Sequence, residues 1–328
     1  MRLLAPLLTG RPSITVLRLA AQVEARRNNL GKAVEYASEA FRRDPRDTWL
    51  LAHLVKIALT QNQVEFAEEI IDLARRAGIE DEQIHIARGR IFLRRDNMQA
   101  AKDAFDRARQ LTQRNPWPFF FLGKIYFRLG RLDDAIGILH DGEQFAYEAR
   151  ARDRIAVRAI KTLLGTVYLF TEHIDLAEQY ITSVVEENPD GPDEQRAHAA
   201  LMVIQKKVQD AHEAIELLRR ARVRGLEARC RQQLFVGQFY EAIGDLHHAA
   251  QEYRVACHTD RGNVFVMLKL GNALLRLAGA AFRESDDSYR SYAGECAEIV
   301  RTIFRYDRDN PRATELMHSL RQEFGVTV

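Results

Sequence analysis

Apolar residues fall at helical spacing in paired stretches, divided by a short polar turn, and the pair recurs along the chain. Ala33, Ala67, Ala101 and Ala135 stand 34 residues apart. Each opens a similar segment, such as Ala33-Val34-Glu35-Tyr36-Ala37-Ser38-Glu39-Ala40, with equivalents over 67–74 and 101–108 and a fourth beginning Ala135-Ile136-Gly137-Ile138-Leu139. Upstream of each lies a second amphipathic stretch ending at Asn28-Asn29-Leu30-Gly31, Gln61-Asn62-Gln63, Asp96-Asn97-Met98 or Gly130-Arg131-Leu132-Asp133. Asn, Asp and Gly stop one helix and start the next, because they supply local hydrogen bonds or a positive φ. The pattern predicts 34-residue helical hairpins stacked as a solenoid.

Small residues recur inside the first helices at Gly89, Gly123, Gly165, Gly237 and Gly271. Glycine inside a helix costs up to about 1 kcal/mol relative to alanine, so its repetition points to close helix crossings. Pro311 at a helix start and the amphipathic run Thr314 to Phe324 predict a terminal helix that covers the last hairpin.

Composition agrees with a helical array. Of 328 residues 46% are hydrophobic and 29% charged, with 8 prolines. The net charge of +2 gives no global electrostatic case for nucleic acid or membrane, so any such case rests on local placement. Cys230, Cys257 and Cys296 fit neither a disulfide framework nor a metal pattern and point to a reducing, cytoplasmic setting. The start, Met1-Arg2-Leu3-Leu4-Ala5-Pro6-Leu7-Leu8, is too short an apolar run for a signal peptide. No apolar run is expected to approach the roughly 20 residues of a membrane span.

Leu122-Gly123-Lys124-Ile125-Tyr126 with Gly130 and Ala135, and Gly237, Tyr240, Gly244-Asp245-Leu246, Ala249, Tyr253 and Ala256, resemble the tetratricopeptide repeat family over nearly the whole chain. The resemblance implies an all-α, right-handed superhelical solenoid of about eight hairpins with a C-terminal capping helix. In that register residues 1–13 are a partial preceding helix. Hairpins 1–4 fill 14–157, as units over 14–47, 48–81, 82–115 and 116–157. Hairpins 5–8 fill 158–306, as units over 158–194, 195–229, 230–263 and 264–306, and residues 307–328 are the cap. The fourth unit carries an extra eight residues, with a protrusion expected from Glu143 to Asp153, and the eighth is irregular, because Ala278 to Tyr292 interrupts the expected turn and breaks the spacing. The partial start suggests a fragment of a larger protein, with this chain as its recognition or sensor arm.

The resemblance also implies that positions 2, 5, 9, 12 and 13 of each first helix face a concave groove. In the first four units positions 5, 9 and 13 are Arg18, Gln22 and Arg26; Ala52, Lys56 and Thr60; Ile86, Arg90 and Arg94; Phe120, Lys124 and Arg128. Seven of these twelve are basic and none is acidic, where composition would place about two basic residues. In the last four units only Lys207 and Arg276 are basic. Trp49 and Trp117 occupy position 2 in alternate units, Trp117 beside Phe119, Phe120 and Phe121. Aromatic area beside arginine is a frequent composition for binding anchors. The plainer readings are a solvated basic face and aromatics that staple adjacent hairpins. The family's carboxylate clamp uses a Lys/Asn/Asn/Lys/Arg set; Arg18, Gln22, His53, Gln83 and Ala87 stand at the corresponding places here, so a chaperone-tail receptor is not expected.

Catalytic chemistry is not expected. His247-His248 point in different directions on one helix, and His212 with Glu216 lacks a third ligand. Asp286-Asp287 belongs to a polar insertion, and no phosphate loop, nucleophile elbow or dinucleotide fingerprint occurs, so neither cofactor nor metal is expected. The expectation is a non-enzymatic protein-binding scaffold that holds an acidic peptide by Arg18, Arg26, Lys56, Arg90, Arg94, Lys124 and Arg128, with Trp49, Trp117 and Phe120 as anchors. Leu169, Phe170, Leu234, Phe235, Phe265 and Leu268 are expected to offer an apolar face to a second partner or to a second copy of the chain. The rival reading is a nucleic-acid backbone tracked by the same basic stripe.

Overall fold

The computed structural model describes residues 10–148, 153–204, 215, 216, 218 and 226–327. Regular structure among them is helical throughout, in sixteen helices without a strand. The chain forms two compact units, Met1–Leu122 and Gly123–Val328. The division expected after residue 157 lies inside the second.

The first unit holds α1 (Ile14–Arg26), α2 (Leu30–Arg43), α3 (Thr48–Thr60), α4 (Val64–Arg76), α5 (Glu82–Arg94), α6 (Met98–Leu111) and the start of α7 (Trp117–Arg128). Its 34-residue period is written in the backbone. Ser13, Asp47 and Asp81 accept from the amides of Val16, Leu50 and Ile84 at 3.3, 3.3 and 2.9 Å, so each first helix begins on a side-chain cap. Asn28, Asn62 and Asp96 end those helices in the left-handed region, at φ 61°, 59° and 56°. Ala33, Ala67 and Ala101 are fully buried where second helices cross first ones. At Gly89 an added Cβ would lie 2.6 Å from the Phe105 ring, so close crossing explains the glycine.

The second unit continues from Gly123 in α7 through α8 (Leu132–Glu148), α9 (Arg154–Phe170), α10 (Ile174–Glu187), α11 (Pro192–Ile204), α12 (Leu226–Ala242), α13 (Leu246–Thr259), α14 (Val264–Arg283), α15 (Ser288–Tyr306) and α16 (Pro311–Phe324). At 17 residues α8 exceeds the 14 of α2 and α6, in line with the extended fourth hairpin. The rest of that extension, residues 149–152, lies outside the described residues, as do residues 1–9, Lys207 and His212. In the eighth hairpin α14 and α15 run 20 and 19 residues, longer than the 13 and 14 of α1 and α2, and turn at Ser285, φ 58°, inside the stretch expected to break the spacing. Pro311 opens α16, Asn310 caps it, and Leu316 and Leu320 are buried in the cap.

Unlike an open solenoid, in which each repeat touches only its neighbours, this unit closes on itself. Arg128 Nη2 meets Asp260 Oδ1 at 2.7 Å, Arg131 binds Asp307 through two bonds of 3.1 and 2.8 Å, and Asn310 Nδ2 donates to the Leu129 carbonyl at 3.0 Å. Between them Phe127, Phe170, Phe235 and Phe265 pack with ring centroids 4.9 to 5.8 Å apart. The apolar face expected to await a second partner is therefore core: Leu169, Phe170, Leu234, Phe235, Phe265 and Leu268 are all buried. A further correction concerns α14, which is long and apolar enough to cross a membrane, at a mean hydropathy of 1.5. Its apolar side chains, Val264, Phe265, Val266, Leu270 and Leu274 among them, pack in the unit's core, and 67% of its most apolar stretch is buried.

Candidate partner-binding face

The first helices of the first unit, α1, α3 and α5, set Gln22, Lys56 and Arg90 at one repeat position and Arg26, Thr60 and Arg94 at another. The structure sorts the basic residues by what each already touches. Arg18 is engaged: its Nε lies 2.9 Å from Asp47 Oδ2, and its guanidinium sits 5.9 Å from the Trp49 ring centroid. Arg94 donates to the Leu59 carbonyl at 3.0 Å, satisfying the end of α3 where the helix dipole favours a cation.

Arg26, Lys56 and Arg90 differ from these two. Arg26 and Lys56 are exposed, and none of the three pairs with a carboxylate among the described residues. Arg90 is the most telling. It is partly buried and its pKa is drawn down, by burial first and by the charge of Arg94 second. Guanidinium does not deprotonate in proteins, so the shift records a cation that lacks a counter-charge.

His53 reports the same field. Its pKa is lowered by burial, then by Arg26, then by Lys56, which places the imidazole beside both cations. It stacks on Trp49 with centroids 5.0 Å apart and planes 10° from parallel, while Trp49 remains 51% exposed. Sequence reasoning passed over His53 as a binding residue; the available signal was its place one turn after Trp49 and three residues before Lys56 on α3.

Trp117 and Phe120 are placed differently from Trp49. Trp117 lies 5.4 Å from Phe120 and 5.8 Å from Phe121, and Phe121 stacks on Phe105 of α6 at 4.7 Å, so this aromatic group joins adjacent hairpins. Lys124 and Arg128 belong to the second unit. Arg128, expected to meet an outside acid, already meets Asp260.

A cleft of about 360 Å³ lies on the other side of α5, floored by Ile71, Ile79, Ile84 and Ile91. Its charges are matched, Asp72 with Arg75, Glu80 with Arg88 and Glu68 with Arg95, so it has none of the imbalance of the basic face.

The residues weighed for chemistry are otherwise occupied. Asp245 caps His248 and pairs with its Nδ1 at 2.6 Å, His248 stacks on Tyr240, and His247 turns to Tyr292. Asp286 holds Ser288 through its backbone and hydroxyl, which lowers the carboxyl's pKa. Burial raises the pKa of all three thiols. Among the described residues no group of three or more His, Cys, Asp or Glu side chains is placed to hold a metal ion.

No protein-family model matches the chain, and no curated protein matches it. Solved structures do. The crystal structure of the APC/C hetero-tetramer Cut9–Hcn1 aligns over 97% of this chain at 13% identity and a TM-score of 0.51; this chain spans 58% of that one. A tetratricopeptide repeat protein from Parabacteroides merdae aligns over 80% of this chain and 98% of its own length, at 15% identity and a TM-score of 0.50. The chain has the tetratricopeptide-repeat fold.

Proposed function

We propose that the chain is a non-enzymatic protein-interaction scaffold whose first unit holds an acidic, carboxylate-bearing peptide segment along α1, α3 and α5. The observation that carries this reading is Arg90, a partly buried cation with no carboxylate partner among the described residues. Such a charge is costly in isolation and becomes favourable when a carboxylate joins it, and a guanidinium fork accepts a carboxylate through two bonds. Arg26 and Lys56 extend the positive field, and Trp49 supplies exposed aromatic area beside it. A fold shared with a subunit of an assembled hetero-tetramer is in keeping with a binding role.

Titration calorimetry of the full chain with a poly-glutamate peptide tests the reading. Binding that is lost in Arg26→Glu/Lys56→Glu supports it. Binding unchanged by the reversals makes the basic face solvated decoration. A thymidine oligonucleotide in the same assay tests the nucleic-acid rival: capture that falls by orders of magnitude over a modest salt rise, with no poly-glutamate binding, moves the assignment there.

A further inference from the structure

His53 holds an unusual station in this face. It is a half-buried imidazole stacked on an exposed tryptophan, within the field of two cations that have no acidic partner. We propose that His53 makes the face proton-linked: a bound carboxylate draws a proton onto the imidazole, so the acidic segment is held more tightly as the pH falls. The inference rests on the acidic-segment reading above and names its regulation.

The argument follows from the charges around the ring. Those shifting it are Arg26, from α1, and Lys56, from its own helix; α4 and α5 also pack on α3, and no carboxylate is among the groups that shift the ring. Asp47, which caps α3, is spent on Arg18 and on that cap. In the free protein, then, burial, Arg26 and Lys56 all favour the neutral ring, and at neutral pH His53 is uncharged. A carboxylate arriving between these cations reverses the local balance. It offsets both positive charges and accepts a hydrogen bond from a protonated ring nitrogen, so the bound state takes up a proton that the free state does not. Affinity therefore rises as the pH falls through the bound-state value and levels off above it.

The probe is a poly-aspartate peptide, whose own carboxyls stay ionised across the window. With the full wild-type chain, affinity is expected to tighten by about tenfold between about pH 8 and about pH 5.5, the change one pKa unit of differential interaction provides. Calorimetry in buffers of different ionisation enthalpy is expected to show uptake of up to about half a proton near pH 6, the maximum for a difference of one pKa unit. His53→Gln should bind the peptide with a flat pH profile, and His53→Asn serves the same purpose if the glutamine variant does not fold. Binding by the wild type without proton uptake overturns the inference, as does a pH slope that survives in His53→Gln, which would assign the proton elsewhere, such as to His85 beside Glu80 and Arg88. Absence of binding at every pH removes the acidic-segment reading itself and this inference with it.

Discussion

Arg128 and Asp260 meet at 2.7 Å although 132 positions separate them in the chain. Both side chains are mostly covered, at 13% and 16% exposure. The pair, together with Arg131–Asp307 and the four packed phenylalanines, ties the first hairpin of the second unit to its last hairpins and cap. Removing Asp260 takes a carboxylate away from a mostly covered guanidinium, the costly way to break such a pair. Asp260→Ala is expected to destabilise the second unit by about 2–4 kcal/mol, read as a lower urea midpoint. A loss within about 0.5 kcal/mol would mean that Arg131–Asp307, Asn310 and the phenylalanines close the unit without this pair.

Arg90 predicts effects of opposite sign on folding and on binding. If its cation is a ligand group kept at a cost, Arg90→Leu should stabilise the first unit by about 1–2 kcal/mol, since an apolar side chain replaces an unmatched, partly buried charge. The same variant should weaken poly-glutamate binding by about tenfold or more, the worth of one charge-assisted bond. Urea melts and calorimetry on one preparation decide the matter. Destabilisation combined with unchanged binding would make Arg90 a structural residue.

Much of the first unit was legible because local chemistry repeats with the chain. Asn28, Asn62 and Asp96 are residues that tolerate positive φ, and Ser13, Asp47 and Asp81 are residues that cap helices, so the period can be read without tertiary information. The inner face of the second unit was not legible. A repeat register assigns Phe170, Phe235 and Phe265 to a groove, and the small rotation between successive repeats decides whether that groove stays open or fills. Only coordinates show that residues 127–131 come back to residues 260–310. For the basic stripe, counting charges at equivalent positions found the cations but not their partners. Asp47, which engages Arg18, stands just before α3 and outside the positions counted, and the Leu59 carbonyl that takes Arg94 is backbone.

The thiols yield a chemical prediction. Burial pushes Cys257 and Cys296 up to about 12, and Cys230 higher still. Thiolate is the reactive form, so raising the pKa this far leaves almost none of it at neutral pH. All three cysteines are expected to resist Ellman's reagent in the native protein at about pH 7.5 and to react together on unfolding in denaturant. Rapid native modification of any one would show an accessible thiolate and would reopen nucleophilic chemistry for that site.

Two glycines in helices of the first unit should respond in opposite directions to the same substitution. A Cβ on Gly89 would fall 2.6 Å from the Phe105 ring, and Phe105 is fully buried in the core, so neither partner has room to yield. Gly89→Ala is expected to cost about 1–3 kcal/mol from overpacking, despite alanine's better helix propensity. At Gly31, near the start of α2, nothing lies within 4 Å of the added carbon. Gly31→Ala should then show propensity alone and stabilise by about 0.5–1 kcal/mol. Urea midpoints of the two variants against wild type separate close helix crossing from backbone entropy as the reason for glycine. Stabilisation by both substitutions would show that α5 and α6 do not approach as closely as the Phe105 contact requires.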